Sequence, residues 1–163
     1  MEPGPDCVTA VMLRSDACKL HAIGTVWNAW VNKELASPAA DIVVIDDDPI
    51  LRDLLADWLE GAGYEVRKAS NCCAGVEELH RRVPALVVSD MFMPGPCAAE
   101  AIATLKREHP GVALIAVSGH FNSGQGLSAE DALAAGADRA LAKPVKRAEL
   151  LRTVAELVGA AVR

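Results

Sequence analysis

The chain has 163 residues, which is enough for one domain and an additional extension. Because 52% of the residues are apolar, the domain can bury a hydrophobic core. A net charge of −6, without any cluster of lysines and arginines, argues against a nucleic-acid partner. Five cysteines without paired metal spacing, no apolar run near the roughly 18 residues of a membrane span and no secretory signal together predict a cytoplasmic protein with reduced thiols.

Residues 1–40 carry no sustained pattern, and we expect an N-terminal extension that is partly helical or disordered. Apolar residues at helical spacing between Leu20 and Leu35 would suit a helix that packs on the domain or on a partner. Two other interpretations stay open: a mostly disordered tail, or upstream translated sequence outside the working protein. Residues 37–40 are predicted to link the extension to an ordered domain at 41–163.

The ordered part opens with a continuous β-branched run, IVVIDD at 42–47, which predicts a buried strand. Apolar residues at helical spacing follow it, with Pro49 placed for the first helical turn and Gly61 or Gly63 for the stop. The apolar residues of this helix are Ile50, Leu51, Leu54, Leu55, Trp58 and Leu59. Asp48, just ahead of Pro49, is expected to cap the helix and not to bind a ligand.

A second strand and a second helix follow. An alternating stretch at 64–69 predicts an outer strand, and Asn71 is placed to cap a second helix that bears Val76. The apolar run ALVVSD at 85–90 then predicts a buried third strand. A third helix is expected at 97–108, after the loop MPGP.

The last part of the chain repeats the same alternation. A fourth, buried strand is predicted at 112–118 from the run VALIAVS. Ser128 and Asp131 have the spacing of a capping box ahead of a fourth helix. The segment RALA at 139–142 predicts a short fifth strand, and apolar residues at helical spacing predict a final helix at 146–161.

Strands and helices therefore alternate five times, and the continuous apolar runs of the middle strands indicate burial on both faces. Right-handed crossovers then place helices on both sides of one parallel sheet. We predict an α/β fold with a five-stranded, doubly wound, flavodoxin-like sheet of order 2-1-3-4-5 and an N-terminal extension. A Rossmann sheet is less favoured, because the first strand–helix turn is acidic and contains no glycine.

Five polar side chains fall at the carboxyl ends of these predicted strands. Asp46 and Asp47 end the first strand, Asp90 the third, Ser118 the fourth and Lys143 the fifth. Parallel strands bring their carboxyl ends to one edge of the sheet, and strands one and three flank the switch point at which such folds bind ligands. We therefore expect these five residues to converge on one crevice.

Three carboxylates in one crevice repel each other. At about 4 Å and an effective dielectric constant near 20, each pair costs about 4 kcal/mol as an upper guide. Such a cluster indicates a compensating cation, and carboxylate oxygens with room for water and phosphate suit Mg²⁺. Adding the Lys143 ammonium and the Ser118 hydroxyl favours phosphoryl transfer to a carboxylate, with Asp90 as the expected acceptor.

Four motifs, IVVIDDDP, LVVSDMFMPG, LIAVSG and ALAKP, occur in this order at suitable intervals. With them the chain resembles the receiver domain of two-component response regulators over residues 41–162. The resemblance implies that Asp90 is the phosphoacceptor and a metal ligand. It implies that Asp47 binds the metal directly, that Asp46 acts mostly through water and that the backbone carbonyl of Phe92 is a further ligand.

The resemblance also implies roles for the ends of the fourth and fifth strands. Ser118 would be the switch hydroxyl and Lys143 the phosphoryl-binding lysine, with a cis peptide bond before Pro144. The chain departs from the family at Ala140, where an aromatic residue often couples phosphorylation to the output face. Phe92 and His120 lie two residues after the acceptor and the switch serine, so they flank the path of the water that would hydrolyse the phosphoryl group.

By the same resemblance we expect a single-domain, chemotaxis-type regulator, because only the last helix and a few residues follow Lys143. Its donor would be a histidine kinase or a histidine phosphotransfer protein, and its output would be contact with a target protein. We expect a monomer or weak dimer that is not itself an enzyme, although it assists its own phosphorylation and dephosphorylation. No membrane or nucleic-acid partner is expected.

Two alternatives compete with this function. A pseudo-receiver would keep the fold as a binding module without taking phosphate, although all five key residues are present here. A Mg²⁺-dependent phosphatase of the haloacid-dehalogenase kind also uses an aspartate nucleophile. That class needs a second aspartate two residues later, where this chain has Phe92.

Overall fold

The computed structural model describes residues 39–93, 98–121 and 127–160. The predicted extension at 1–40 therefore lies outside the described residues, apart from its last two positions. The strands are β1 (Asp41–Ile45), β2 (Glu65–Ala69), β3 (Leu86–Asp90), β4 (Ala113–Ser118) and β5 (Arg139–Ala142). The helices are α1 (Pro49–Glu60), α2 (Cys72–Arg81), α3 (Ala98–Glu108), α4 (Ala129–Ala134) and α5 (Arg147–Val158).

The five strands form one sheet in the order β2-β1-β3-β4-β5, and every neighbouring pair is parallel. The predicted order 2-1-3-4-5 is thus confirmed. The registers pair Ile45 with Ser89, Asp90 with Val117, and Ser118 with Ala142. Since these residues stand at or beside the strand ends, the carboxyl ends of β1, β3, β4 and β5 meet at one edge, which we call the carboxyl edge.

The sheet buries an apolar layer on each face. On one face, residues of β1, β3 and β4 pack with Leu55 and Leu59 of α1 and with Leu150 and Val154 of α5. On the other face, the alternate residues of the same strands pack with side chains of α2, α3 and α4. Each aliphatic side chain that is fully buried in this way contributes about 1.5–3 kcal/mol. Burial on both faces explains why the middle strands read as continuous apolar runs.

Helix caps formed by side chains define where three helices begin. The Asp48 carboxylate accepts hydrogen bonds from two N–H groups in the first turn of α1, and Asn71 accepts one from Ala74 at the start of α2. Ser128 and Asp131 form the capping box of α4. These three capping predictions are confirmed, and each cap contributes about 1 kcal/mol to its helix.

Helices α1 and α2 each contain apolar residues that remain exposed and do not join the core. Ile50 is 79% exposed and Leu54 is 40% exposed, although both share the helical spacing predicted for α1. Val76 of α2 is 49% exposed. The apolar stripe of α1 is wider than the surface that the sheet offers it, so two of its residues remain facing solvent.

The close packing of α2 depends on a glycine. A Cβ atom at Gly75 would clash with the Ile45 side chain at the end of β1. The absence of a side chain at Gly75 therefore lets α2 pack closely against the carboxyl end of β1. Within the described residues, no helix has the length and apolar character that crossing a membrane requires.

Candidate functional site

The carboxyl edge gathers four of the five polar residues predicted from the sequence into one cluster. β1 ends at Ile45, two residues before the end of the predicted run 42–47, so Asp46 and Asp47 lie in the loop that leads to α1 and not in the strand itself. Asp90 is the last residue of β3, and Lys143 directly follows β5. Asp46 and Asp90 are buried, with 1% and 6% of their surfaces exposed.

Lys143 joins two of the carboxylates. Its Nζ lies 2.8 Å from Oδ2 of Asp90 and 3.0 Å from Oδ2 of Asp46, within hydrogen-bond distance of both. The Lys143 backbone N–H also donates to the Ser118 carbonyl at 2.9 Å, which holds the start of this turn against β4. The peptide bond between Lys143 and Pro144 is cis, as expected. The Lys143 ammonium therefore lies between the carboxyl ends of β1 and β3.

The protonation of this pair follows from burial and hydrogen bonding. Burial raises the pKa of the Asp46 carboxyl, and the hydrogen bonds from the Asp48 N–H and from Lys143 partly oppose that rise. Burial disfavours the charged form of Lys143, but its hydrogen bonds to Asp90 and Asp46 outweigh this effect and raise the pKa of the ammonium. Lys143 therefore remains charged at neutral pH.

The three carboxylates are close enough to share a cation. One oxygen from each of Asp46, Asp47 and Asp90 lies within 4.8 Å of the other two. Ligands of an octahedral Mg²⁺ ion lie about 3–4 Å apart, since each Mg–O distance is about 2.0–2.1 Å. An all-oxygen cluster of this spacing, open to water at the exposed Asp47, fits Mg²⁺.

Ser118 is near the cluster but is bonded elsewhere. It is 2% exposed, and its Oγ accepts a hydrogen bond of 3.1 Å from the N–H of His120. Among the described residues, its hydroxyl makes no hydrogen bond to Asp90 or to Lys143. The structure therefore places Ser118 at the carboxyl edge without joining it to the carboxylate cluster.

Two rings meet beside Asp90. The Phe92 N–H donates to Oδ1 of Asp90 at 3.0 Å, and the Phe92 side chain is 64% exposed. Its ring contacts the His120 ring, with 4.3 Å between centroids and an interplanar angle of 43°. The sequence places both residues near the site, but contact between their rings could not be read from it. The contact connects the loop after β3 with the loop after β4.

The structure adds one residue that the sequence analysis did not single out. Nη1 of Arg52, one turn into α1, donates to the Asp46 carbonyl at 2.8 Å. Arg52 lies six residues after Asp46, on the side of α1 that faces the end of β1. The sequence signals this hydrogen bond only by a long basic side chain six residues after Asp46. Such side chains are common on helix surfaces, so the signal is weak.

Comparison with known proteins agrees with this geometry. The model of the response regulator receiver domain matches residues 42–155. The nitrogen assimilation regulatory protein NtrX of Azorhizobium caulinodans is 36% identical over 86 residues, which are 52% of this chain and 19% of that protein. An uncharacterized 14.6 kDa protein of Leptolyngbya boryana is 37% identical over 114 residues, covering 70% of this chain and 86% of that protein.

Solved structures show the same fold. The receiver domain of NtrX from Brucella abortus superposes with a TM-score of 0.67 at 29% identity, covering 72% of this chain and 98% of that one. A CheY-like receiver domain protein of Methanospirillum hungatei has a TM-score of 0.65 at 29% identity, covering 72% and 92%. The chain belongs to the response regulator receiver domain family, whose members are the phosphoacceptors of two-component systems.

Proposed function

We propose that residues 41–163 form a receiver domain that accepts a phosphoryl group on Asp90 with Mg²⁺, and that residues 1–40 are an accessory extension. The observation that carries this proposal is the Lys143 ammonium, which lies within 3.0 Å of both the Asp46 and Asp90 carboxylates. A half-buried lysine held against an acceptor carboxylate can bind the oxygens of a phosphoryl group delivered there.

Each residue of the cluster has a proposed task. Asp47, Asp90 and the Phe92 carbonyl would hold Mg²⁺ directly and Asp46 mostly through water, and the ion would neutralise charge on the phosphoryl oxygens. An Asp90 oxygen attacks phosphorus, an O–P bond forms and the P–N bond to the donor histidine breaks. The electron pair of that bond stays on the donor imidazole nitrogen. Lys143 leaves the Asp90 oxygen and binds a phosphoryl oxygen instead, and Ser118 turns its hydroxyl toward another.

The donor would be a histidine kinase or a histidine phosphotransfer protein, and the surface beside Lys143 suits its docking. Ile50 and Leu54 of α1 expose apolar side chains there, next to Pro144 and Val145. These residues and Lys143 line a cavity of about 530 Å³. An apolar patch beside the lysine would hold the donor helix with its phosphohistidine over Asp90.

Output would pass by contact with a target protein. Ala140 stands where an aromatic residue often relays the signal, so a change of Ser118 and its loop would have to reach the target by another route. Phe92 and His120 offer such a route, because their ring contact joins the loops on both sides of the acceptor.

The test is phosphorylation of the full chain by acetyl phosphate with Mg²⁺, followed by intact-mass measurement. Wild type should gain one phosphoryl group, and Asp90→Asn should gain none because the acceptor oxygen is lost. Asp57→Asn, on the exposed part of α1, serves as the matched control and should behave as wild type. Equal modification of Asp90→Asn and wild type would refute the assignment of the acceptor. No modification of wild type would favour the pseudo-receiver.

A further inference from the structure

The loop between β1 and α1, residues 46–48, is held by hydrogen bonds from several directions. The Asp46 carboxylate accepts from the Asp48 N–H at 2.9 Å through Oδ1 and from Lys143 at 3.0 Å through Oδ2. The Asp46 carbonyl accepts from Nη1 of Arg52 at 2.8 Å. Asp46 is therefore fixed through its side chain and its main chain.

Asp47 is held differently. Its side chain is exposed, and its carboxylate has no hydrogen bond or ion pair with any residue that the structure describes. The backbone that carries Asp47 consequently sets the direction of its Cα–Cβ bond, and thereby the region that the carboxylate can reach through its side-chain rotamers. The peptide unit that joins Asp46 to Asp47 contains the carbonyl bound by Arg52. Because a peptide unit is planar, fixing this oxygen also fixes the N–H and Cα of Asp47.

We propose that Arg52 is a positioning residue for the metal: by fixing the peptide plane between Asp46 and Asp47, it aims the Asp47 carboxylate at the oxygens of Asp46 and Asp90. The three carboxylates already lie within 4.8 Å of each other, which is the arrangement that Arg52 preserves. This inference rests on the proposed function, because it requires Mg²⁺ to bind at the cluster.

Positioning and simple electrostatics make opposite predictions for Arg52. The guanidinium carries a positive charge beside the carboxylates, so its removal would strengthen their attraction for a cation. If Arg52 positions Asp47, its removal leaves that ligand to be ordered when the metal binds, which costs affinity. The sign of the change in Mg²⁺ affinity therefore distinguishes the two roles.

The experiment is Mg²⁺ titration of the full chain by isothermal titration calorimetry, with thermal melting measured in the presence and absence of Mg²⁺. Arg52→Met should weaken Mg²⁺ binding roughly threefold to tenfold, the effect expected from one lost hydrogen bond. Arg52→Lys should recover part of that loss, because an ammonium can donate to the same carbonyl. Arg81→Met removes the same charge from a side chain that is 75% exposed on α2, and should bind as wild type does.

The melting data separate positioning from stability. A merely structural role would lower the metal-free Tm of Arg52→Met and leave its Mg²⁺-induced rise in Tm unchanged, whereas positioning reduces that rise. Arg52→Gln is a second neutral variant, judged by the same criterion if Arg52→Met does not fold. Unchanged or tighter Mg²⁺ binding in the neutral variant would overturn the inference. Absence of Mg²⁺ binding in wild type would instead refute the proposed function, and the inference with it.

Discussion

The two sides of Asp90 are built in different ways. One side, called the metal side because we propose that it holds Mg²⁺, consists of Asp46, Asp47, the helix cap Asp48 and Arg52. The ring side consists of Phe92, Ser118 and His120. Hydrogen bonds to both the carboxylate and the carbonyl of Asp46 fix the metal side, and the first turn of α1 continues directly from it. On the ring side, the Phe92 ring contacts the His120 ring and so connects the loop after β3 with the loop after β4.

This difference separates two properties of the site. A cation needs ligands that are already in place, because ordering them during binding costs affinity. The fixed metal side meets that need. A switch needs a part that can change its contacts when the phosphoryl group arrives, and a contact between two rings contributes only about 0.5–1.5 kcal/mol beyond its buried area. We expect the metal side to govern affinity for the metal and the ring side to govern lifetime and output.

The largest effect should come from removing a ligand on the metal side. Asp47→Ala should lower Mg²⁺ affinity by at least roughly 10- to 100-fold. Losing a residue that only hydrogen-bonds to a metal ligand already costs that much, and Asp47 is proposed to be a ligand itself. It should also raise the metal-free Tm by a few degrees, because one of three repelling carboxylates is gone. Calorimetry and thermal melting measure both. A lower metal-free Tm would contradict the repulsion, with Asp57→Ala as the matched control on α1.

A smaller effect should show whether the exposed part of α1 recognises the donor. Ile50→Lys should slow phosphotransfer from a histidine donor about tenfold, because it places a charge in the proposed apolar contact. It should leave phosphorylation by acetyl phosphate unchanged. Val83→Lys alters a side chain that is also exposed, by 57%, but lies at the opposite edge of the sheet, and should change neither rate. Equal slowing with both phosphodonors would place Ile50 in the chemistry and not in docking.

The smallest effect is expected on the ring side. Phe92→Ala should speed loss of the phosphoryl group about threefold, because water reaches Asp90 more easily once the ring contact is lost. The decay is followed by intact mass after removal of the phosphodonor. Leu133→Ala removes an apolar side chain that is 46% exposed on α4 and serves as the control. An unchanged or slower decay in Phe92→Ala would show that the rings do not shield the acceptor.

Much of the fold was predictable because it depends on patterns of backbone and burial. The alternation of apolar runs and helical stripes predicted the sheet order, and caps such as Asp48 and Asn71 are local in sequence. The convergence of Asp46, Asp90 and Lys143 follows from the same logic, since each stands at the carboxyl end of a parallel strand. The roles assigned to these residues stay predictions until the experiments above are done.

Side-chain contacts were harder to predict. Ile50 and Leu54 have the spacing of core residues, but whether they are buried depends on how much of α1 the sheet covers. Contact between the Phe92 and His120 rings depends on the conformations of two loops, which no periodicity describes. The bond from Arg52 to the Asp46 carbonyl depends on a long side chain with many rotamers.

The bridge from Lys143 to two carboxylates also has a consequence for which ions the site accepts. If each group carries its full charge, the three carboxylates and the Lys143 ammonium together have two net negative charges; Arg52 bonds to the Asp46 carbonyl and not to a carboxylate, so it is not counted in this cluster. One divalent cation would balance these two charges. Na⁺ or K⁺ would leave the cluster with a net negative charge, and a trivalent ion would leave it with a net positive charge. If this cluster binds a cation as proposed, the lysine would act as a counter-ion within it, and charge would favour a divalent ion before size or geometry contributes.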